Sequence, residues 1–146
     1  MIDIIFDLVS VYDWHKNRQF RRRLRSFYPG IPERNWRRVK YCSEGHFQGW
    51  FQELGEATGT VVIANDRILF WPDDQYDEDP ALTFTSSDST VRSGVKSRHF
   101  GSDAWVEVEQ RGARHYFLPK TFFGRKTAMR DLFDRLRAVL PKAEAA

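Results

Sequence analysis

The sequence predicts an α+β fold: a small antiparallel β-barrel or bent sheet of about seven strands with a C-terminal capping helix, preceded by an N-terminal amphipathic helix. Three observations predict it. Apolar residues recur at intervals of three and four up to Phe27, alternation replaces that spacing after the break Tyr28-Pro29-Gly30-Ile31-Pro32, and a helical stripe returns between Met129 and Leu140.

The first helix rests on Ile2, Ile5, Phe6, Val9, Tyr12, Phe20, Leu24 and Phe27, with a weak point near Trp14 to Asn17. Asp3, Asp7 and Asp13 lie early and the arginines late, which complements the helix dipole at both ends. Proline and glycine then stop it. Arg37 to Cys42 reads as the first strand and His46 to Leu54 as the second, the latter with Phe47, Gly49 and Phe51 on one side and Trp50 opposite. Thr60 to Ala64 and Arg67 to Trp71 flank Asn65-Asp66, a hairpin signal, because Asn and Asp tolerate the positive φ of tight hairpin turns. An acidic loop follows from Pro72 to Pro80, then short strands at Ala81 to Thr85 and within Thr90 to Arg98.

In Ala104 to Glu109 the alternation places Ala104, Val106 and Val108 inward and Trp105, Glu107 and Glu109 outward or sideways. Gln110-Arg111-Gly112 turns that strand into Arg114 to Leu118. The last helix, from Gly124 or Arg125 to Leu140, carries Met129, Leu132, Phe133, Leu136, Val139 and Leu140 on one face, so that face is buried. Pro141 ends it and Lys142 to Ala146 should fray. Trp50, Trp71 and Trp105 read as core or edge-packing residues.

A chain of 146 residues fits one domain with an appendage, here an arm over 1–32 and a domain over 33–146. The single cysteine, Cys42, cannot form an internal disulfide, and the opening residues lack the layout of a signal peptide, so a cytoplasmic setting is the expectation. The apolar opening is broken by Asp3 and Asp7 and falls short of a membrane span.

Charge is divided sharply along the chain. Ten Lys and Arg lie between Lys16 and Lys40 against one acid, Glu33, whereas the rest holds thirteen bases and nineteen acids. Arg18, Arg21, Arg22, Arg23, Arg25, Arg37, Arg38 and Lys40, with Trp36 beside them, are therefore the candidate binding residues. Cations interleaved with aromatics suit an anionic lipid surface, where charge and apolar contact act together. They also suit a protein partner, and in the alternative reading nucleic acid, through phosphate contacts and stacking. A solvated helix end, docking onto the chain's own acidic loop, or a homo-oligomer formed through the N-terminal helix are the competing readings.

The run Gly59, Thr60, Val61, Val62, Ile63, Asn65, Asp66, Arg67, Ile68, Leu69 and Phe70 resembles the core of bacterial pleckstrin-homology-like and GRAM-like domains, and Ala104 to Leu118 followed by the helix to Leu140 resembles their closing strands and capping helix. The similarity covers roughly residues 35 to 140. It implies a binding or assembly module, for lipid headgroups, peptides or scaffolding. Family members that bind phosphoinositides carry basic residues across the first two strands and their loop. Arg37, Arg38 and Lys40 match that pattern, and Ser43, Glu44, Gly45, Gln48 and Gln52 depart from it.

Nothing in the sequence marks an enzyme. It has no Gly-x-Ser-x-Gly elbow, and Cys42 has no activating signature around it. Cys42 and His46, with His15, His99 and His115 scattered, do not make the three or four convergent ligands of a zinc site. The acidic loop lacks the register of an EF-hand. The expectation is a non-enzymatic binding or assembly module without metal or cofactor, peripheral to the inner face of a membrane.

Overall fold

A computed structural model of the chain describes residues 18, 21–26, 30–50, 55–75, 79–96, 104–121 and 124–143. The chain divides into two compact units, Met1–Glu33 and Arg34–Ala146. In the first, residues 18 and 21–26 are helical, and the remainder of the expected N-terminal helix, with its weak point near Trp14, lies outside the described residues.

The second unit is a seven-stranded antiparallel sheet curled into a half-barrel, with a C-terminal helix. The strands are β1 (Trp36–Ser43), β2 (Ala57–Ile63), β3 (Arg67–Pro72), β4 (Leu82–Thr85), β5 (Ser89–Val95), β6 (Trp105–Gln110) and β7 (Ala113–Pro119), and their order in the sheet is β4-β3-β2-β1-β7-β6-β5. Two meanders are therefore joined where β1 pairs with β7. Strands β4 and β5 sit at opposite ends of that order, yet only Ser86 to Asp88 connect them, so the sheet has to curl until its ends approach. Asp88 holds this corner. It accepts the Thr85 amide at 2.9 Å and the Ser89 hydroxyl at 2.6 Å, and Gln110 Nε2 bridges it (3.1 Å) to the Thr83 carbonyl (2.7 Å).

Period-two alternation sends one set of side chains to the concave face. Val39, Val61, Ile63, Ile68, Phe70, Phe84, Val91, Val106, Val108 and Phe117 meet there, and helix α2 (Arg125–Arg137) with the turn after it adds Leu132, Leu136 and Leu140. The helical stripe is thus buried as expected, each fully covered leucine contributing roughly 1.5–3 kcal/mol. Gly59 is required by this packing: a Cβ there would lie 2.7 Å from the Phe70 ring and 2.3 Å from the Trp71 carbonyl oxygen.

Several expectations are corrected. His46 to Leu54 is not a strand as far as it is described: Glu44–Phe47 form a single helical turn, α1, and Gln48 to Trp50 a turn, with residues 51–54 outside the described residues. The reason is a second apolar cluster on the convex face, where Phe47 stacks on Tyr116 (3.7 Å between centroids) and meets Trp105 edge-on (5.8 Å), beside Cys42 and Leu118. Trp105 and Glu107, expected to face outward or sideways, do lie opposite Val106 and Val108, but the convex side is covered there and they are 1% and 4% exposed. Trp50, expected to pack, is 66% exposed, while Trp71 and Trp105 are buried.

The hairpin at Asn65-Asp66 forms, with the Ala64 amide on the Arg67 carbonyl at 2.9 Å, but neither turn residue has a positive φ. The positive-φ turn is the other one, where Arg111 (50°) and Gly112 (86°) join β6 to β7, the signature of a type I′ hairpin. The tail does not fray as a whole either. The Val91 amide donates to the Pro141 carbonyl (2.9 Å) and the Ala143 amide to the Val91 carbonyl (2.8 Å), covering part of the β5 edge.

Candidate functional site

The expected binding residues separate by environment. On the helical segment 21–26, Arg21 and Arg22 are exposed and have no ion-pair partner among the described residues, Arg23 is half-buried, and Arg25 pairs with Glu33. Arg18 is exposed as well. Leu24, the one apolar residue of the segment, is 1% exposed.

Strand geometry decides the fate of the arginines on β1. Successive side chains point to opposite faces, so Arg37 and Arg38 diverge. Arg37 lies on the concave side, where Nε donates to Asp131 Oδ2 of α2 at 2.7 Å and Nη1 donates to the Trp36 carbonyl (2.9 Å) and the Arg34 carbonyl. Arg38, on the convex side, forms a bidentate pair with Asp73, at 2.5 Å and 2.6 Å, and a third bond to Thr60 Oγ1 at 3.1 Å. A forked guanidinium on a carboxylate is the strongest form of such a contact. The pairing follows from sheet register: Arg38 lies opposite Thr60, Thr60 opposite Trp71, and the Asp73 amide is held by the Thr58 carbonyl just past the end of β3. Both arginines therefore serve the domain's own architecture. Lys40 is half-buried, and Trp36 is half-buried with its indole N–H enclosed and without a hydrogen-bond acceptor among the described residues.

Polar chemistry within the domain is of another kind. On the concave face the Tyr41 hydroxyl and His115 Nδ1 are 2.8 Å apart, with Phe70, Phe84 and Phe117 against the two rings. Burial holds the histidine pKa below its ordinary value and pushes the Tyr41 phenol up to about 12. With the imidazole neutral, the phenol donates in the tautomer protonated at Nε2 and accepts in the tautomer protonated at Nδ1. Cys42 points to the opposite face, buried, and its thiol is pushed up to about 11, mainly by desolvation. Near it, Tyr116 donates to Glu107 Oε1 at 3.0 Å, with Arg92 and Arg114 each 3.8 Å from the carboxylate.

Sequence reasoning overlooked one cationic feature. Lys96 and the first turns of α2, at Arg125, Lys126 and Arg130, line a cleft of about 780 Å³ floored by Met129 and Phe133. The signal was present in the sequence as a helix start with no acidic residue in its first turn. No family model, curated protein or solved structure matched the chain.

Proposed function

We propose that the protein is a non-enzymatic binding module of pleckstrin-homology-like or GRAM-like type that associates with an anionic lipid surface through Arg21 and Arg22. The order of two meanders followed by a helix packed on the concave face supports the family reading. The observation that carries the functional reading is the contrast in pairing. Arg37 and Arg38 are engaged by Asp131 and Asp73, whereas Arg21 and Arg22 are exposed without an ion-pair partner among the described residues.

Each basic residue near an anionic leaflet adds about 1 kcal/mol before screening, so association through this segment is weak and depends on salt. Burial of Leu24 points to contact with the headgroup region by charge, rather than insertion of that side chain. The non-enzymatic reading is supported by Cys42, a buried thiol that desolvation pushes up to about 11 and so keeps protonated at neutral pH.

The test is sedimentation with vesicles of phosphatidylcholine and 30% phosphatidylglycerol. The parent protein is expected to bind in low salt and to release as salt rises, and the double variant Arg21→Ala, Arg22→Ala to lose most of that binding with no change in its unfolding midpoint. Equal sedimentation of variant and parent refutes the assignment. So does retention of duplex DNA, but not of vesicles, by the parent.

A further inference from the structure

We infer a second ligand site, for a soluble phosphate monoester with an aryl or short alkyl body, in the cleft between the start of α2 and the β5–β6 side of the sheet. Its volume, about 780 Å³, lies in the range of small-molecule pockets. The wall is divided chemically. Met129, Phe133 and Ala104 supply an apolar floor, while among the described residues Lys96, Arg125, Lys126 and Arg130 set four cations around it against one acid, Asp134. Lys96, Lys126 and Arg130 have no ion-pair partner among the described residues, unlike Arg37, Arg38, Arg92 and Arg114 elsewhere on the domain.

The helix start strengthens the argument. Gly124, at the N-cap, has φ 66° and offers no side-chain cap, and the first turn of α2 carries Arg125 and Lys126 with no acid. Cations there oppose the positive end of the helix dipole, and an anion in the cleft would relieve both that repulsion and the mutual repulsion of Lys96, Lys126 and Arg130. A phosphate dianion matches Lys96, Lys126 and Arg130 better than a carboxylate does, because it brings two charges and three strong acceptors. The apolar floor calls for a hydrophobic body attached to that head. A cleft between a helix and a sheet covers such a body on two sides, whereas a bilayer lipid would leave it in its leaflet.

The probe is 1-naphthyl phosphate, titrated into isotopically labelled full-length protein and followed by amide chemical shifts, with 1-naphthol and inorganic phosphate as separate arms. Shifts are expected at Gly94, Lys96, Lys126 and Arg130, with a Kd about tenfold or more below that of either fragment. The double variant Lys126→Glu, Arg130→Glu, on exposed positions, should raise that Kd by about tenfold or more, equivalent to about 1.4 kcal/mol, with an unchanged unfolding midpoint. Arg111→Gln, in the β6–β7 turn, should leave it unchanged. Absence of shifts at those four amides, equal affinity for naphthol or phosphate alone, or an unaltered Kd in the charge-reversed variant each overturns the site. Because Arg21→Ala, Arg22→Ala is expected to bind the probe like the parent, this result stands or falls separately from vesicle binding.

Discussion

The cations of β1 and those around the α2 cleft are of the same chemical type and face opposite circumstances. Arg37 and Arg38 fall in the most basic stretch of the sequence, and each is tied to a carboxylate brought from far along the chain, Asp131 and Asp73. Lys96, Lys126 and Arg130 fall in unremarkable sequence and meet no such partner among the described residues. Local charge density is therefore a poor guide to which cations are available. What decides availability is whether sheet register or helix docking delivers an acid within reach.

The comparison is broken most severely by detaching α2, since the helix supplies both Asp131 and most of the cleft. Leu136 is 0% exposed, and Leu136→Asp places an unpaired charge in the core. We expect a loss of about 4 kcal/mol or more in denaturant unfolding; a change under about 0.5 kcal/mol would remove the helix from the core.

Next in size is Arg38→Ala. It strands the Asp73 carboxylate, whose side chain is only 10% exposed, and should cost about 2–3 kcal/mol, near the lower end of what breaking a buried pair costs because Arg38 itself keeps some solvent. Asp73→Asn, which retains a hydrogen-bond acceptor, should cost less, and unfolding curves of the two variants measure the difference.

The Tyr41–His115 pair gives a pH signature. Burial lowers the folded histidine pKa, so below about pH 6.5 the unfolded chain takes up the proton first and stability falls as pH drops, by at most about 1.4 kcal/mol per pH unit. His115→Phe should flatten that slope in unfolding midpoints measured between pH 7.5 and pH 5.5. A slope that persists assigns the effect to another group.

Arg37→Ala is expected to be mild, about 0.5–1 kcal/mol, because Asp131 is 42% exposed and solvent screens the pair. The hydrogen bond from Arg37 is the main reason the Asp131 carboxyl lies below its ordinary range. The folded value being the lower one, this contribution is complete above about pH 4 and is lost as pH falls through the folded pKa. An NMR titration of Asp131 in the variant should show its pKa moving upward.

Smallest of all are Lys96→Ala, Lys126→Ala and Arg130→Ala, each expected within about 0.5 kcal/mol of the parent. A larger loss from any of them would mean that the cleft cations hold the domain together as Arg37 and Arg38 do, and the contrast would dissolve.

How much of this was legible in advance differs by element. Hairpins with continuous apolar strands and a two-residue turn, such as the pair around Asn65-Asp66, announce themselves because every signal is local. The α2 stripe is equally plain, since six apolar residues at helical spacing admit one buried face. The stretch at His46 was misread because Phe47, Gly49 and Phe51 alternate as a strand would, and only the convex cluster of Tyr116, Trp105 and Cys42, assembled from distant segments, makes a helical turn at Phe47 the better packing. The candidate binding residues were found as a composition, and nothing local distinguishes Arg22 from Arg38.

By itself, then, the sequence determined the alternation of the strands, the position of the hairpins, the amphipathic final helix and the concentration of cations before Lys40. Those properties depend on neighbours within a few residues. Tertiary structure alone decided that β1 would lie between β2 and β7, that Arg38 would meet Asp73 and Arg37 would meet Asp131, and that a cleft would open between α2 and the β5–β6 side of the sheet. The reason is physical: a side chain's partners are fixed by sheet register and by the docking of α2 on the sheet, which brings together residues as far apart as 37 and 131, and no pattern within a short window encodes that meeting.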